Sequence, residues 1–219
     1  VTNVKVGGSK NNKTPMPWDI SNISMSYAYT NTNARNPILQ MDDKTDQRLS
    51  VDYTYSRKVK YIRPFRKIVG NKAKFIKEIH FNLLPNSFSF NTELRRFNNV
   101  RLYREPVDPV YEFEDKRFNW DRNYMLSWNF TKDLRISYNA RNQSVMDEIK
   151  KYGVYEGEFA EYRTPGGEII TAQEYSEAAA RDTLLNSLKN FGRTQNFSQN
   201  LDISYKLPLK YIPLLDFVR

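Results

Sequence analysis

The chain has no cysteine, which excludes disulfides and thiolate metal sites. That absence fits an oxidising cell envelope and a reducing cytosol equally well. Histidine occurs once, as His80. With one histidine and no cysteine, neither a Ser-His-Asp nor a Cys-His arrangement is assembled convincingly, and the lone imidazole, without nearby acidic partners, reads as a rim residue. No catalytic residue, cofactor site or metal site is expected, and the chain is not read as an enzyme. No stretch approaches the roughly 18 apolar residues of a spanning helix. Val1 to Ser9 include no Met start and no apolar signal core. The end at Asp216-Phe217-Val218-Arg219 follows a turn-like stretch, so both termini read as cut edges.

What is present is charge. Charged residues make up 27% of the chain, the net charge is +9 and the mean hydropathy is −0.74. Taken alone, these values describe a soluble basic protein. They mislead for a transmembrane barrel, in which only alternate residues of each strand meet lipid. Lys and Arg are spread along the chain, with one denser cluster from Lys58 to Lys77. No RNP-type sequence or zinc-knuckle spacing accompanies them, so no nucleic-acid partner is expected.

The dominant pattern has period two, the mark of a strand with unlike faces. Ile23, Met25, Tyr27 and Tyr29 alternate with Ser24, Ser26, Ala28 and Thr30. Leu49, Val51, Tyr53 and Tyr55 alternate with Ser50, Asp52, Thr54 and Ser56. Phe88, Phe90 and Leu94 stand against Ser87, Ser89, Asn91 and Glu93. Tyr124, Leu126, Trp128 and Phe130 stand against Asn123, Met125, Ser127 and Asn129. Leu134, Ile136, Tyr138 and Ala140 alternate with Arg135, Ser137, Asn139 and Arg141. Leu201, Ile203, Tyr205 and Leu207 alternate with Asn200, Asp202, Ser204 and Lys206. About six strands follow.

Their connections are unequal. Thr131-Lys132-Asp133 is short enough to force an antiparallel hairpin. A longer polar loop is expected around Asn36 to Asp46. Lys58 to Pro85 is basic, and its Phe75, Ile76, Ile79 and Leu83 recur at helical spacing. Glu105 to Lys116 is acidic and contains proline. An insertion from about Asp147 to Gln195 holds the turn Thr164-Pro165-Gly166-Gly167. Thr171 and Glu174 form a capping box for a helix near 172–191, with Gly192 as its stop. The resulting segments are 18–58, a first hairpin; 59–85, a basic connection; 86–146, strands three to five; 147–195, the insertion; and 196–219, a sixth strand and turn.

A soluble β-sandwich would alternate too. Three features favour a membrane barrel. Tyr29, Tyr55, Tyr124, Phe130 and Tyr138 lie at strand ends, where rings suit a lipid–water boundary. The opposite faces are dense in polar residues, as a water-filled lumen requires. The connections are also too long and varied for a compact sandwich. A one-residue slip would turn Asp52, Arg135, Arg141 or Asp202 toward lipid, at about 2–4 kcal/mol for each basic group at the midplane. Closed single-chain barrels begin at about eight strands, so further strands are expected from outside this chain. The fold class is therefore read as all-β, a section of a large antiparallel transmembrane β-barrel.

The run Phe81-Asn82-Leu83-Leu84-Pro85-Asn86-Ser87-Phe88-Ser89-Phe90, then Arg95-Arg96-Phe97, resembles the SprA/Sov family. These are giant outer-membrane translocons of the type IX secretion system of Bacteroidetes. Phe118-Asn119-Trp120-Asp121-Arg122-Asn123-Tyr124, Leu126 to Phe130, Thr131-Lys132 and Asp147-Glu148 are similar to the strand pair that follows there. So are Asn36-Pro37, Tyr53-Thr54-Tyr55-Ser56, Leu207-Pro208-Leu209-Lys210 and Ile212-Pro213-Leu214-Leu215-Asp216. The likeness spans Trp18 to Glu148 and Phe197 to Arg219; the insertion resembles the family much less. The resemblance implies a single-chain barrel of about thirty-six strands that exports folded proteins through the outer membrane, in a system tied to gliding motility. It also implies partners: the remaining strands, secreted cargo, gate or plug proteins and periplasmic components. On the family's orientation the Thr131–Asp133 turn and the 59–85 connection are periplasmic, and the helix-bearing insertion is extracellular.

The expected lipid-facing band is Met25, Tyr27, Val51, Tyr53, Phe88, Phe90, Leu126, Trp128, Leu134, Ile136, Ile203 and Tyr205. The expected lumen face is Ser24, Ser26, Asp52, Thr54, Asn91, Ser127, Asn129, Arg135, Ser137, Asn139, Asp202 and Ser204. Asp42, Asp43 and Asp46 lack the glycine and terminal glutamate of a calcium loop and read as a solvated loop tip. Glu112, Glu114 and Asp115 read as a solvated acidic cluster, and Gly166-Gly167 as a turn. The basic cluster Arg63, Arg66, Lys67, Lys72, Lys74 and Lys77, interleaved with Phe65, Ile68 and Phe75, fits anionic headgroups, a periplasmic partner or plain solvent. The rival readings are a nutrient transporter or porin barrel, and a soluble adhesin or carbohydrate-binding sandwich.

Overall fold

The computed structural model describes residues 2–5, 16–64, 80–104, 112–152 and 160–206. The elements run β1 (Thr2–Lys5), β2 (Ile23–Ala34), β3 (Leu39–Ser56), β4 (Ser87–Tyr103), β5 (Glu112–Asn129) and β6 (Leu134–Val145). β7 (Lys150–Tyr152), β8 (Glu161–Arg163), β9 (Ile169–Thr171), α1 (Glu177–Lys189) and β10 (Arg193–Tyr205) follow. The main sheet has the order β1-β2-β3-β4-β5-β6-β10, and β7-β8-β9 form a small sheet of their own. Every pairing is antiparallel. Six long strands make up the main sheet, and short β1 pairs with the outer edge of β2. The described strands do not close into a barrel.

The alternating segments lie in these long strands except for Phe130 and Lys206, just past the ends of β5 and β10, and Leu207, which lies outside the described residues. Elsewhere the strands reach further than the alternation does. β3 and β5 are 18 residues long and β4 is 17. The polar loop expected at 36–46 is in fact a tight turn at 35–38, with Asp42 to Asp46 already inside β3. Asn36 makes that turn: its Oδ1 accepts from the amides of Ile38 (2.9 Å) and Leu39 (2.6 Å), an Asx turn ahead of a strand. In the same way, the acidic stretch from Glu112 to Lys116 is the start of β5 rather than a loop. At the opposite end, Thr131 Oγ1 accepts from the amides of Asp133 (3.2 Å) and Leu134 (2.8 Å) and closes the β5–β6 turn. The helical spacing at Phe75, Ile76 and Ile79 lies outside the described residues; Leu83 is described and exposed.

The insertion also differs from expectation. A three-stranded meander precedes the helix, and α1 is shorter than 172–191. Ser176 is the N-cap, its side chain accepting from the Ala179 amide. Thr171 and Glu174 do bond to each other, but they hold a separate turn ahead of the helix. The helix ends in a Schellman pattern: Phe191 N–H donates to Leu188 O (3.1 Å) and Gly192 N–H to Ser187 O (2.8 Å). Phe191 (φ 61°) and Gly192 (φ 69°) are both left-handed. β10 then begins at Arg193, earlier than the alternation from Asn200 implied.

Little of this is a conventional core. Tyr55, Ala140, Met146 and Ala160 are the buried hydrophobic residues among those described. Met146 packs where the insertion rejoins the sheet. A Cβ on Gly192 would meet Met146 Cε at 2.3 Å and Val145 O at 2.9 Å. Gly192→Ala combines left-handed strain with backbone overlap and is expected to destabilise this junction by about 2 kcal/mol or more. Denaturant unfolding of the purified protein, followed by hydrogen exchange at α1 and β10, measures it. Exchange no faster than wild type would refute the tight junction.

Candidate functional site: the two faces of the sheet

Residues directly opposite in an antiparallel ladder project from the same face, so the registers assign every strand residue a side. One row reads Ile23, Tyr53, Phe90, Tyr124, Ala140, Gln199; the next reads Met25, Val51, Thr92, Arg122, Asn142, Phe197. Met25, Tyr27, Val51, Tyr53, Phe88, Phe90, Leu126, Trp128, Leu134, Ile136, Ile203 and Tyr205 share this apolar face. Ser24, Ser26, Asp52, Thr54, Asn91, Ser127, Asn129, Arg135, Ser137, Asn139, Asp202 and Ser204 share the other.

The apolar band is oblique. Measured against the hydrogen-bonded rows, its centre slips by about 1.4 residues per strand from β2 to β10. With about 3.4 Å per residue and about 4.8 Å between strands, a band level with a membrane plane inclines the strands by roughly 45°. Transmembrane strands have that tilt. Rings mark both margins: Tyr29, Phe118 and Trp120 toward the insertion end, and Trp18, Tyr55, Trp128, Phe130 and Tyr205 toward the turn end. Within the band, Tyr53 and Phe88 (5.7 Å) and Phe90 and Tyr124 (5.0 Å) touch across strands. Two indole N–H groups are satisfied within the protein, Trp120 by Thr92 Oγ1 (2.6 Å) and Trp128 by Asn82 O (2.7 Å). Met25, Tyr27, Leu201, Ile203 and Tyr205 are exposed.

Arg122 is a cation within the apolar rows, and the insertion covers it. Its guanidinium lies against both the Trp120 ring (5.0 Å) and the Phe191 ring (5.2 Å), which also touch each other at 5.5 Å. It donates to Ser144 Oγ (2.9 Å) and Phe191 O (3.2 Å), and the residue is buried. These contacts offset the roughly 1–2 kcal/mol that a left-handed Phe191 costs. Sequence reasoning missed this clamp, because nothing in the chain spacing links residue 122 to residue 191.

The polar face is cross-linked. Asn123 donates to Asn91 Oδ1 (3.1 Å), and Asn91 in turn donates to Asp52 Oδ1, a transverse ladder over three strands. Arg95 reaches Asp46 at 2.8 Å and Arg117 reaches Asp115 at 2.7 Å. Lys44, Arg48, Arg95, Arg101, Arg117, Arg135 and Arg141 stand on this face of β3 to β6 against Asp42, Asp46, Asp52, Glu93, Asp115 and Asp121, a near-balance of charge. A depression of about 490 Å³ includes Asn91, Asn123, Asn139 and Arg141 in its lining.

The sequence-level candidates for metal or acid–base chemistry are dispersed. Asp42 pairs with Lys44 (2.8 Å), while Asp43 projects from the opposite face. Glu114 pairs with Lys116 (2.7 Å). His80 is buried, edge-on to Tyr61 at 6.0 Å. No group of three potential ligands converges among the described residues. Nor is any described helix long and apolar enough to cross a membrane, which says nothing of crossing by strands. No protein-family model and no curated protein matches the chain.

In the insertion, Tyr175 stacks on Tyr162 at 3.9 Å, and burial raises its phenol above the usual value. Glu174 is held below its ordinary 4.5, first by the Thr171 amide and then by the Thr171 hydroxyl. A depressed carboxyl stabilises the turn fully above 4.5, and that contribution disappears as pH falls through its folded value. A pH titration of the Thr171 amide shift is expected to show a midpoint below 4.5, absent in Glu174→Gln. A midpoint at or above the ordinary value would refute the bond.

Proposed function

We propose that this chain is a section of the wall of a protein-conducting outer-membrane β-barrel. The observation carrying the proposal is the oblique apolar band: exposed along β2 and β10, mostly half-buried across β3 to β6, edged by rings and backed by a polar face. Strands of 12 to 18 residues exceed the roughly 9–11 needed to cross hydrocarbon at that tilt. On this reading the apolar face seals against lipid, and the polar face lets a hydrated cargo pass without losing its water. Six strands are too few for closure and leave backbone groups open at the sheet edges, so adjoining strands complete the wall. The export of folded proteins rests on the sequence resemblance to the SprA/Sov translocons. The orientation, with the Thr131–Asp133 turn periplasmic and the insertion outside, has the same basis.

The cysteine-free chain suits site-directed labelling. Nitroxides at single cysteines replacing Val51, Phe90 and Ile136 are expected to be reached by membrane-dissolved oxygen and not by a water-soluble nickel chelate. Labels at Ser50, Asn91 and Ser137 are expected to give the reverse. Protection of the apolar set from both reagents would mean a dry second layer, and the sandwich reading would replace the barrel. Depletion of the full protein is expected to strand folded surface proteins in the periplasm; undiminished surface delivery would remove protein traffic from the proposal.

A further inference from the structure

The turn end of the sheet carries a surface that the transport reading leaves unused. Residues 57–64 and 80–86 form a strap joined by the Ile62–Phe81 bridge, and it packs on the lower margin of the apolar face. Phe81 meets the Phe130 ring at 5.5 Å, Asn82 donates its amide to Phe130 O (2.8 Å), and Trp128 donates to Asn82 O. Asn82 is fully buried. Arg57 ties the two limbs through Asn82 Oδ1 and Leu84 O. The strap is therefore fixed, and its outward side is mixed: Val59, Ile62, Leu83 and Leu84 are exposed among Lys58, Lys60 and Arg63.

The three cations differ from the ion-paired ones of β3 to β5. Lys44, Arg95, Lys116 and Arg117 each have a carboxylate within 2.8 Å. Lys58, Lys60 and Arg63 have none among the described residues; at this end Asp133 is exposed and Asp19 half-buried. Unpaired cations and bare aliphatic groups, directly beyond a ring-lined apolar margin, complement a membrane surface bearing phosphodiester groups. An acidic protein would match the charge but would not need the strap to continue the apolar band.

We infer that this strap is a binding surface for anionic phospholipid headgroups: Ile62, Leu83 and Leu84 enter the interface while Lys58, Lys60 and Arg63 pair with phosphates. The inference rests on the membrane reading of the sheet. It is tested on the full protein in bilayers of phosphatidylcholine with and without phosphatidylglycerol. Spin-labelled phosphatidylglycerol is expected to associate at least tenfold more strongly than spin-labelled phosphatidylcholine, since each charge near a surface contributes about fivefold. The triple variant Lys58→Ser, Lys60→Ser, Arg63→Ser is expected to bring that ratio close to one, as is high salt. An environment-sensitive fluorophore at Leu84→Cys is expected to shift blue in the anionic bilayer. Equal association of the two lipids, an unchanged triple variant, or a fluorophore left in water would each overturn the inference, the last in favour of a protein partner. Hydrocarbon exposure of the labels at Val51 and Ile136 in the same samples separates such a failure from failure of the barrel itself.

Discussion

Everything in this sheet depends on cross-strand register. Side chains alternate across the pleat, so one hydrogen-bond ladder fixes which residues of two neighbours share a side. Five long ladders in succession keep Ile23 and Ile203 on the same surface, although β2 and β10 lie at opposite sides of the sheet. A slip of one position anywhere would place Asp52 or Arg135 among tyrosines and leucines. The turns protect against that slip: Asn36 and Thr131 each bind two amides and set the residue at which the next strand begins.

Beyond the apolar band, β3, β4 and β5 continue for about eight to ten residues with polar groups on both sides. No continuous apolar row directs that extension. It is held by backbone ladders, by ion pairs such as Asp46–Arg95, and by guanidinium–ring contacts of Arg101 with Phe113 and Arg117 with Phe97. Exposed contacts of this kind contribute only a few tenths to about 1 kcal/mol each. Their number, and continuity with the firmly set strands beneath, keep the extension ordered.

That difference explains what could be read from the chain. Where one face is greasy and the other wet, residues 23–29, 49–55 and 134–140 declare themselves as strands. Where both faces are wet, as from Asp42 to Arg48 or Glu112 to Arg117, the pairing persists but the hydropathy period does not, and the residues pass for loops. β10 alternates only over its apolar half for the same reason. The helix was legible from its alanines and leucines, yet its start was misplaced, because Thr171–Glu174 and Ser176–Ala179 both offer capping chemistry and only the second leads into helical backbone. The two sides of the sheet followed from alternation. The Arg122–Phe191 clamp and the strap over Phe130 did not, since both join residues distant in sequence through packing alone.

The slope of the apolar band has a geometric corollary for the width of the sheet, should it form part of a barrel. A strand inclined at roughly 45° takes up about 7 Å of a barrel's circumference, where an upright one takes up about 4.8 Å. Six such strands supply an arc of roughly 40 Å. A 100-residue domain has a radius of gyration of about 13 Å, so on the proposed reading these six strands alone are as broad as a small folded domain.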